Sequence, residues 1–144
     1  MLTIADPRLQ RLYDYWLDKR QGRRTPARAD IDPLEMLYVV GNIMLVDVFG
    51  EAPLRFRIRL HGTNLFLRHG GELTGKIIDE LPATERRELV IQTFTQVAST
   101  GEPLHAHRKF LLDRRWTQYE TLVLPLSKDG GTINMLLVGQ IYAE

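Results

Sequence analysis

Three stretches in the last third of the chain determine the fold: LHAHRKFLL at residues 104–112, TQYETLVLPL at 117–126 and TINMLLVGQIY at 132–142. Their composition predicts β-strands, and the short charged or glycine-containing segments between them predict tight turns. Consecutive strands that are joined by tight turns pair antiparallel. The sequence therefore predicts an antiparallel meander at this end of the chain.

The last of these strands is apolar on both of its faces. One parity carries Ile133, Met135, Leu137 and Ile141, and the other carries Leu136 and Val138. A strand with one face in solvent would alternate with polar residues, so this pattern predicts a central strand that is covered on both sides.

Two further strands are predicted upstream of the meander. Residues 43–49 form a strand-like run, and a turn connects them to residues 55–60, which alternate strictly between arginine and apolar residues. Because side chains of a strand alternate in direction, Phe56, Ile58 and Leu60 should share one face of the sheet. The three arginines between them should lie on the other face, in solvent.

Helices are predicted between the second and third strands. Thr63 can cap a short helix that Gly70 and Gly71 end, and a longer helix runs from near Pro82 to Gly101. Sheet and helices therefore occupy separate parts of the sequence. We predict an α+β fold, with a five-stranded antiparallel sheet, inserted short helices and an N-terminal amphipathic helix.

The N-terminal helix is predicted by its capping residues and by its apolar spacing. Asp6 can cap it, and Pro7 suits the first helical position. We expect it to cover the second face of the sheet, which presents more apolar surface than one short helix can hide. We therefore also predict a homodimer interface on this helix. The stripe that would form it consists of Leu9, Leu12, Tyr13, Trp16 and Leu17.

A basic connector, residues 19–28, follows this helix and contains lysine and arginine but no acid. A solvated connector is one interpretation, and binding of phosphate groups is the alternative. With 144 residues and no long linker, the chain suits one domain. We predict a single domain over 1–144, with the helix and connector at 1–28 and the core at 29–144.

The composition excludes several classes of protein. Hydrophobic residues make up 44% and charged residues 26%, which excludes intrinsic disorder. The formal charge of +1 argues against a surface that attracts nucleic acid throughout. The absence of cysteine excludes disulfides, cysteine nucleophiles and cysteinyl-flavin photochemistry. No signal peptide or membrane-spanning stretch is recognisable, so we expect a cytoplasmic protein without a membrane partner.

The histidines are the candidate residues for metal binding and acid–base chemistry. His105 and His107 share one face of a strand, but no carboxylate is close in sequence, so we predict no metal site. His61 has the parity of the arginines and should lie in solvent. His69 is then the only histidine that we expect near a pocket. No serine has a Gly-x-Ser-x-Gly setting, and we predict no catalytic residues and no enzyme activity.

Short motifs along the chain point to a family. They are Tyr15-Trp16, Arg20, Gly22-Arg23, Pro26, Arg28, Asp30-Ile31-Asp32-Pro33, Phe56-Arg57, Leu60, Gly62-Thr63, Leu73-Thr74-Gly75, Tyr119-Glu120 and Leu124-Pro125-Leu126. Together they resemble the PAS domain family, and within it the stand-alone bacterial PAS proteins. The resemblance implies a sensory or interaction module with a pocket between the sheet and the inserted helices. It also implies a dimer through the N-terminal helix.

The resemblance also bears on cofactors. Haem-binding PAS domains typically carry a histidine on the long helix before the last three strands, and residues 82–101 contain none. Light-sensing flavin relatives need a cysteine, which this chain lacks. Flavin held without a covalent bond stays open, and we assign no cofactor.

We expect the pocket between residues 63–101 and the sheet face that carries Phe56 and Ile58, although such side chains equally suit a closed core. The predicted function is a non-enzymatic sensory or interaction module of bacterial signalling, which binds a small ligand or a partner protein in trans. The alternatives are a small α+β enzyme with an apolar cavity, or binding of nucleic acid or phosphate through the basic connector. The candidate pocket residues are Phe56, Ile58, Phe66, His69, Ile77 and Phe94.

Overall fold

A computed structural model of the chain describes residues 2–66, 68–112 and 114–143. Its two α-helices over these residues are α1 (Pro7–Arg20) and α2 (Glu85–Thr100). Its strands are β1 (Ile43–Gly50), β2 (Leu54–His61), β3 (Leu104–Leu112), β4 (Arg115–Leu126) and β5 (Met135–Tyr142). Within the described residues, neither α-helix combines the length and the hydropathy that crossing a bilayer requires.

The strands form one antiparallel sheet in the order β2-β1-β5-β4-β3. This order confirms the predicted α+β fold, and it confirms that the last strand is central. The strand begins only at Met135, however, and Ile133 packs with the residues on the opposite face from Met135. The predicted parity of Ile133 is wrong, because Ile133 precedes the strand and the two-residue alternation applies only within a strand.

Each face of the sheet is covered by one α-helix. On the first, which we call the α2 face, Phe94 and Val97 of α2 pack on Phe56 and Val138. On the second, the α1 face, the buried side of α1 packs on β4 and β5. The expectation that α1 covers the second face is therefore confirmed.

α1 is fixed at its start and along its length. The Asp6 side chain accepts a hydrogen bond from the Arg8 backbone N–H, which caps the helix as predicted. Further along, the Trp16 Nε1–H donates to the Pro125 carbonyl oxygen at 2.9 Å. Gly139 of β5 permits the close approach, because a Cβ added there would lie 2.7 Å from Leu9 Cδ2. α1 thus rests directly on the central strand.

The pairing of β1 with β2 contains one irregularity. Leu45 and Val46 are consecutive in β1, but their partners in β2 are Leu60 and Ile58. Arg59 is therefore an extra residue in β2, which is the arrangement of a β-bulge.

The bulge inverts the alternation of side chains beyond it. Leu60 packs into the cluster on the α1 face, opposite the face of Phe56 and Ile58. His61 is only 6% exposed and faces the α2 side. The predictions that Leu60 shares a face with Phe56 and Ile58, and that His61 lies in solvent, are therefore wrong.

The two edges of the sheet differ. The outer side of β2 pairs with residues 75–77: the Gly75 N–H donates to the Ile58 oxygen at 2.6 Å, and the Ile58 N–H donates to the Lys76 oxygen at 2.9 Å. Ile77 adds an antiparallel bridge to Arg57. β3 forms the other edge of the sheet.

Candidate functional site

A cavity of about 460 Å³ lies between the α2 face of the sheet and the segment that leads into α2. This size falls within the roughly 300–1,000 Å³ of typical ligand pockets. Polar groups of His69, Arg86 and Gln140 line one part of it. The rest is mainly apolar, with side chains from Met44, Ile58, Leu73, Ile78, Leu81 and Val90.

A chain of hydrogen bonds connects His61 to His69 at the polar part of the cavity. The Leu73 N–H donates to His61 Nδ1 at 3.0 Å, so this nitrogen carries no proton. His61 Nε2 lies 2.7 Å from His69 Nδ1 and must be the donor. His69 Nε2 then holds the second proton, which it donates to Gln140 Oε1 at 3.0 Å or to the Tyr142 hydroxyl at 3.1 Å. One backbone N–H therefore sets the tautomer of both histidines.

Both histidines are neutral near pH 7. Burial, together with the charge of Arg86 and the nearby His61, lowers the pKa of His69 to about 3. Burial also lowers the pKa of His61. A proton on the acceptor nitrogen of either ring would place two N–H groups against each other, which agrees with these directions.

Arg86 of α2 brings a cation to the same cavity. Its guanidinium carbon lies 4.0 Å from the centre of the Phe110 ring and 5.7 Å from that of Tyr142. The guanidinium donates hydrogen bonds to the Tyr142 hydroxyl and to the Arg68 carbonyl oxygen. Burial raises the pKa of Tyr142 to about 12, even though Arg86 opposes this shift. The cavity thus combines cations, since Arg87 also lines it, with neutral donors and acceptors.

A family model for the PAS domain matches residues 4–141, which is almost the whole chain. The chain belongs to the PAS domain family. No protein of curated function matches it.

Solved structures agree on the fold of this PAS domain. A single-residue variant of RsLOV has a TM-score of 0.52 at 11% identity, covering 96% of this chain and 69% of its own. A single-residue variant of the fungal photoreceptor VVD gives 0.52 at 13% identity, with 98% and 99% covered. The PAS domain of Bordetella pertussis BvgS gives 0.47 at 20% identity, with 79% and 87% covered. The two structures with a TM-score of 0.52 share the PAS fold of this chain.

The predicted pocket residues of the PAS domain occupy different settings on the α2 face. Ile58 and His69 line the cavity. Phe56 and Phe94 lie in the packed core instead, each 2% exposed, with their rings edge to face at 5.6 Å. These two aromatic residues belong to the same packed cluster as Ile58, which lines the cavity.

Phe66 and Ile77 lie at the margin of this region. The ring of Phe66 is 5.2 Å from that of His61, and Ile77 pairs with β2 at the edge of the sheet. That the six predicted residues bind a ligand stays a prediction.

Sequence reasoning missed several residues of this site, among them the polar residues His61, Arg86 and Gln140. The bulge concealed His61, and Arg86 resembles any charged residue in the first turns of a helix. Gln140 did carry a signal, because a polar side chain in a strand that is buried on both faces needs a partner there. The side chain is 3% exposed and accepts from His69.

On the α1 face, His105 has a partner that the sequence concealed. Its Nε2 lies 2.6 Å from Glu120 Oε2, and Glu120 also accepts from the backbone N–H groups of Ala5 and Asp6 at 2.9 and 3.0 Å. Burial raises the pKa of Glu120, but these hydrogen bonds outweigh it and hold the pKa below its usual value. No carboxylate is close to these histidines in sequence, but the pairing of β3 with β4 places Glu120 opposite His107.

The basic connector folds back on the domain. Three of its cations form ion pairs with acids elsewhere in the chain, and Arg28 donates to the Ile31 carbonyl oxygen at 2.8 Å. These contacts compete with any phosphate for the same charges. The pairs are Lys19 with Glu35 at 3.2 Å, Arg23 with Asp30 at 2.7 Å and Arg24 with Glu102 at 3.4 Å.

The predicted dimer stripe lies mostly inside one chain. Leu9, Leu12 and Trp16 are buried against the sheet of their own chain. Tyr13 and Leu17 pack on the same cluster but are only partly buried. Of the five residues in the stripe, only Tyr13 and Leu17 are accessible to a second copy of the chain. The dimer stays a prediction.

Proposed function

We propose that this PAS domain is a sensory module that binds a small, largely apolar molecule in the cavity and relays its presence to a partner protein. The observation that carries the proposal is the composition of the cavity wall, with polar groups on one part and apolar side chains on the rest. Such a wall fixes the orientation of a ligand through a few polar contacts and binds it through apolar area.

The polar groups of the cavity indicate how the ligand is oriented. Arg86 supplies a cation, and His69 Nε2 supplies a proton that a ligand can compete for. Both groups favour a ligand with a hydrogen-bond acceptor, and Arg86 favours an anionic one. Ile58, Leu73 and Val90 would then contact its apolar body.

The enzyme alternative has less support. His69 at the cavity meets one requirement of an acid–base site, but a pKa of about 3 makes it a poor base at neutral pH. The described residues that line the cavity include no carboxylate to orient it. Binding therefore accounts for this arrangement better than catalysis does.

The route from ligand to partner would pass through β5. Gln140 contacts the cavity, while its neighbour Ile141 packs on the α1 face. A ligand that accepts the hydrogen bond from His69 Nε2–H would replace Gln140 as its partner. The Gln140 side chain would then be released, which changes the contacts of β5, the strand on which α1 rests. A partner in trans that contacts α1 would detect this change.

Two fluorescent probes with related apolar bodies test the proposal: anionic 8-anilinonaphthalene-1-sulfonate and neutral N-phenyl-1-naphthylamine. We expect Val90→Trp, which fills the cavity, to abolish binding of both probes. Arg86→Met should weaken the anionic probe about tenfold and leave the neutral one unchanged, because only the first loses a charge-assisted hydrogen bond.

The matched control is Leu111→Ser, which removes an apolar side chain that is 59% exposed. It should leave both affinities unchanged. Binding that survives Val90→Trp in a variant with an intact circular-dichroism spectrum would rule out the cavity as the site. Mass spectrometry of small molecules released from the purified protein would then identify the natural ligand.

A further inference from the structure

A cluster of three metal-binding side chains lies on the α1 face, on the opposite side of the sheet from the cavity. His105 and His107 come from β3, and Glu120 comes from β4. One ligand atom from each residue lies within 4.8 Å of the other two. Two imidazoles and a carboxylate form a donor set that suits zinc and its neighbours in the first transition series.

The spacing requires little movement to accept an ion. His105 Nε2 and Glu120 Oε2 are 2.6 Å apart. Zn²⁺ binds nitrogen and oxygen at about 2.0–2.1 Å, so two of its tetrahedral ligands lie roughly 3.3 Å apart. A change of less than about 1 Å, within the reach of an imidazole rotation, admits the ion between these atoms. His107 is exposed and can turn toward it.

The carboxylate is already held in position. The Ala5 N–H donates to Glu120 Oε2 at 2.9 Å, and the Asp6 N–H donates to Oε1 at 3.0 Å. Backbone donors that orient a ligating carboxylate are a common second layer of metal sites. Glu120 also remains ionised next to these donors.

We propose that His105, His107 and Glu120 bind a divalent transition-metal ion such as Zn²⁺. Three protein ligands leave a fourth position for water or an external ligand, as in metal sites that stay open to exchange. Because Glu120 also holds the backbone at Ala5 and Asp6, the ion is linked to the segment immediately before α1. Metal binding would therefore change the attachment of α1 independently of the cavity.

Calorimetric titration of the full chain with Zn²⁺ tests the site, with Co²⁺ absorption as a reporter of coordination geometry. We expect a single site per chain, and a tetrahedral Co²⁺ spectrum. His107→Ala should weaken Zn²⁺ binding at least tenfold. It should not change the melting temperature of the metal-free protein, because His107 is exposed.

The matched control is His69→Gln, which alters the second histidine pair and should leave the Zn²⁺ affinity unchanged. Hydrogen exchange at the Ala5 and Asp6 amides should change on addition of Zn²⁺ to the intact chain and not to His107→Ala. No binding at millimolar Zn²⁺ would overturn the proposal. Unchanged affinity in both His107→Ala and His105→Ala, or loss of affinity in His69→Gln alone, would also overturn it.

Discussion

The fold keeps His69 neutral at a pH where a free histidine binds a proton. In the unfolded chain its pKa returns to about 6.5, whereas in the folded domain it is about 3. Between these values the unfolded state binds a proton that the folded state does not. The free energy of unfolding therefore falls as the pH decreases from 6.5 toward 3, and this contribution is fully present above pH 6.5.

Urea unfolding between pH 6.5 and 5 should show this loss. His69 alone should lower the free energy of unfolding by about 1.5 kcal/mol over this range. His61, whose pKa is also lowered, acts in the same direction. The carboxylates with lowered pKa values act at lower pH, because their unfolded pKa values are near 4.

His69→Gln provides the comparison for this pH dependence. Glutamine can accept from His61 and donate to Gln140, but it does not titrate. The variant should show a shallower loss of stability between pH 6.5 and 5. Equal slopes for the two proteins would contradict the assignment of the buried neutral state to His69.

Three residues show how far the site could be predicted from the sequence. Ile58 could be assigned to the cavity side because the alternation of β2 was regular up to that point. His61 could not be assigned to that side, because a bulge depends on how two strands pair and does not change the alternation of residue types in the sequence. The partner of His105 was likewise out of reach, since Glu120 is 15 residues away and only the pairing of β3 with β4 joins them.

At the scale of elements, α1 and β5 make a close contact that requires a residue without a side chain. Gly139 lies under Leu9, and a Cβ there would also come within 3.1 Å of Leu12 Cδ2. Both leucines are completely buried. The helix can therefore approach the strand only while position 139 is glycine.

Gly139→Val should destabilise the domain by about 1–3 kcal/mol, as overpacking of a dense core typically does. Chemical unfolding would measure the loss. Gly131→Ala is the control, because the nearest atom to its added Cβ is Asp129 Oδ1 at 3.8 Å. If both variants are equally stable, the contact between α1 and β5 is looser than described.

At the level of elements, most of the fold could be predicted. The start of α1 followed from its cap and proline, and the central position of β5 followed from apolar residues on both faces. The start of α2 was less accurate, because Thr84 caps the helix and Glu85 begins it, three residues after Pro82. Turn and cap chemistry act locally, which is why these features are readable from sequence.

The surface of the molecule beside α1 carries exposed apolar side chains. Leu34 and Leu37 are 76% and 67% exposed. Their segment is tied to the helix, because the Tyr15 hydroxyl donates to Glu35 Oε1 at 2.7 Å. A dimer on this side would combine these leucines with the accessible part of the helix.

We predict a dimer in sedimentation velocity at micromolar concentration, which Leu37→Glu weakens without loss of stability. Trp116→Glu is the control, because Trp116 is equally exposed at 65% but lies on β4. Trp16→Glu is unsuitable, since it places a charge in the core and removes the hydrogen bond to Pro125. An intact chain that sediments as a monomer would contradict the dimer.

The unequal edges of the sheet limit how copies of this domain can join by strand addition. Filaments that grow through backbone pairing need two open edges on every subunit, one to receive a neighbour and one to offer to the next. Residues 75–77 already pair with Arg57 and Ile58 on the outer side of β2, whereas no described strand lies outside β3. Two copies that met through β3 would bury these edges in each other, and a third copy would meet residues 75–77 at β2. Association of this kind ends at a pair, so the asymmetry protects the domain against open-ended polymerisation.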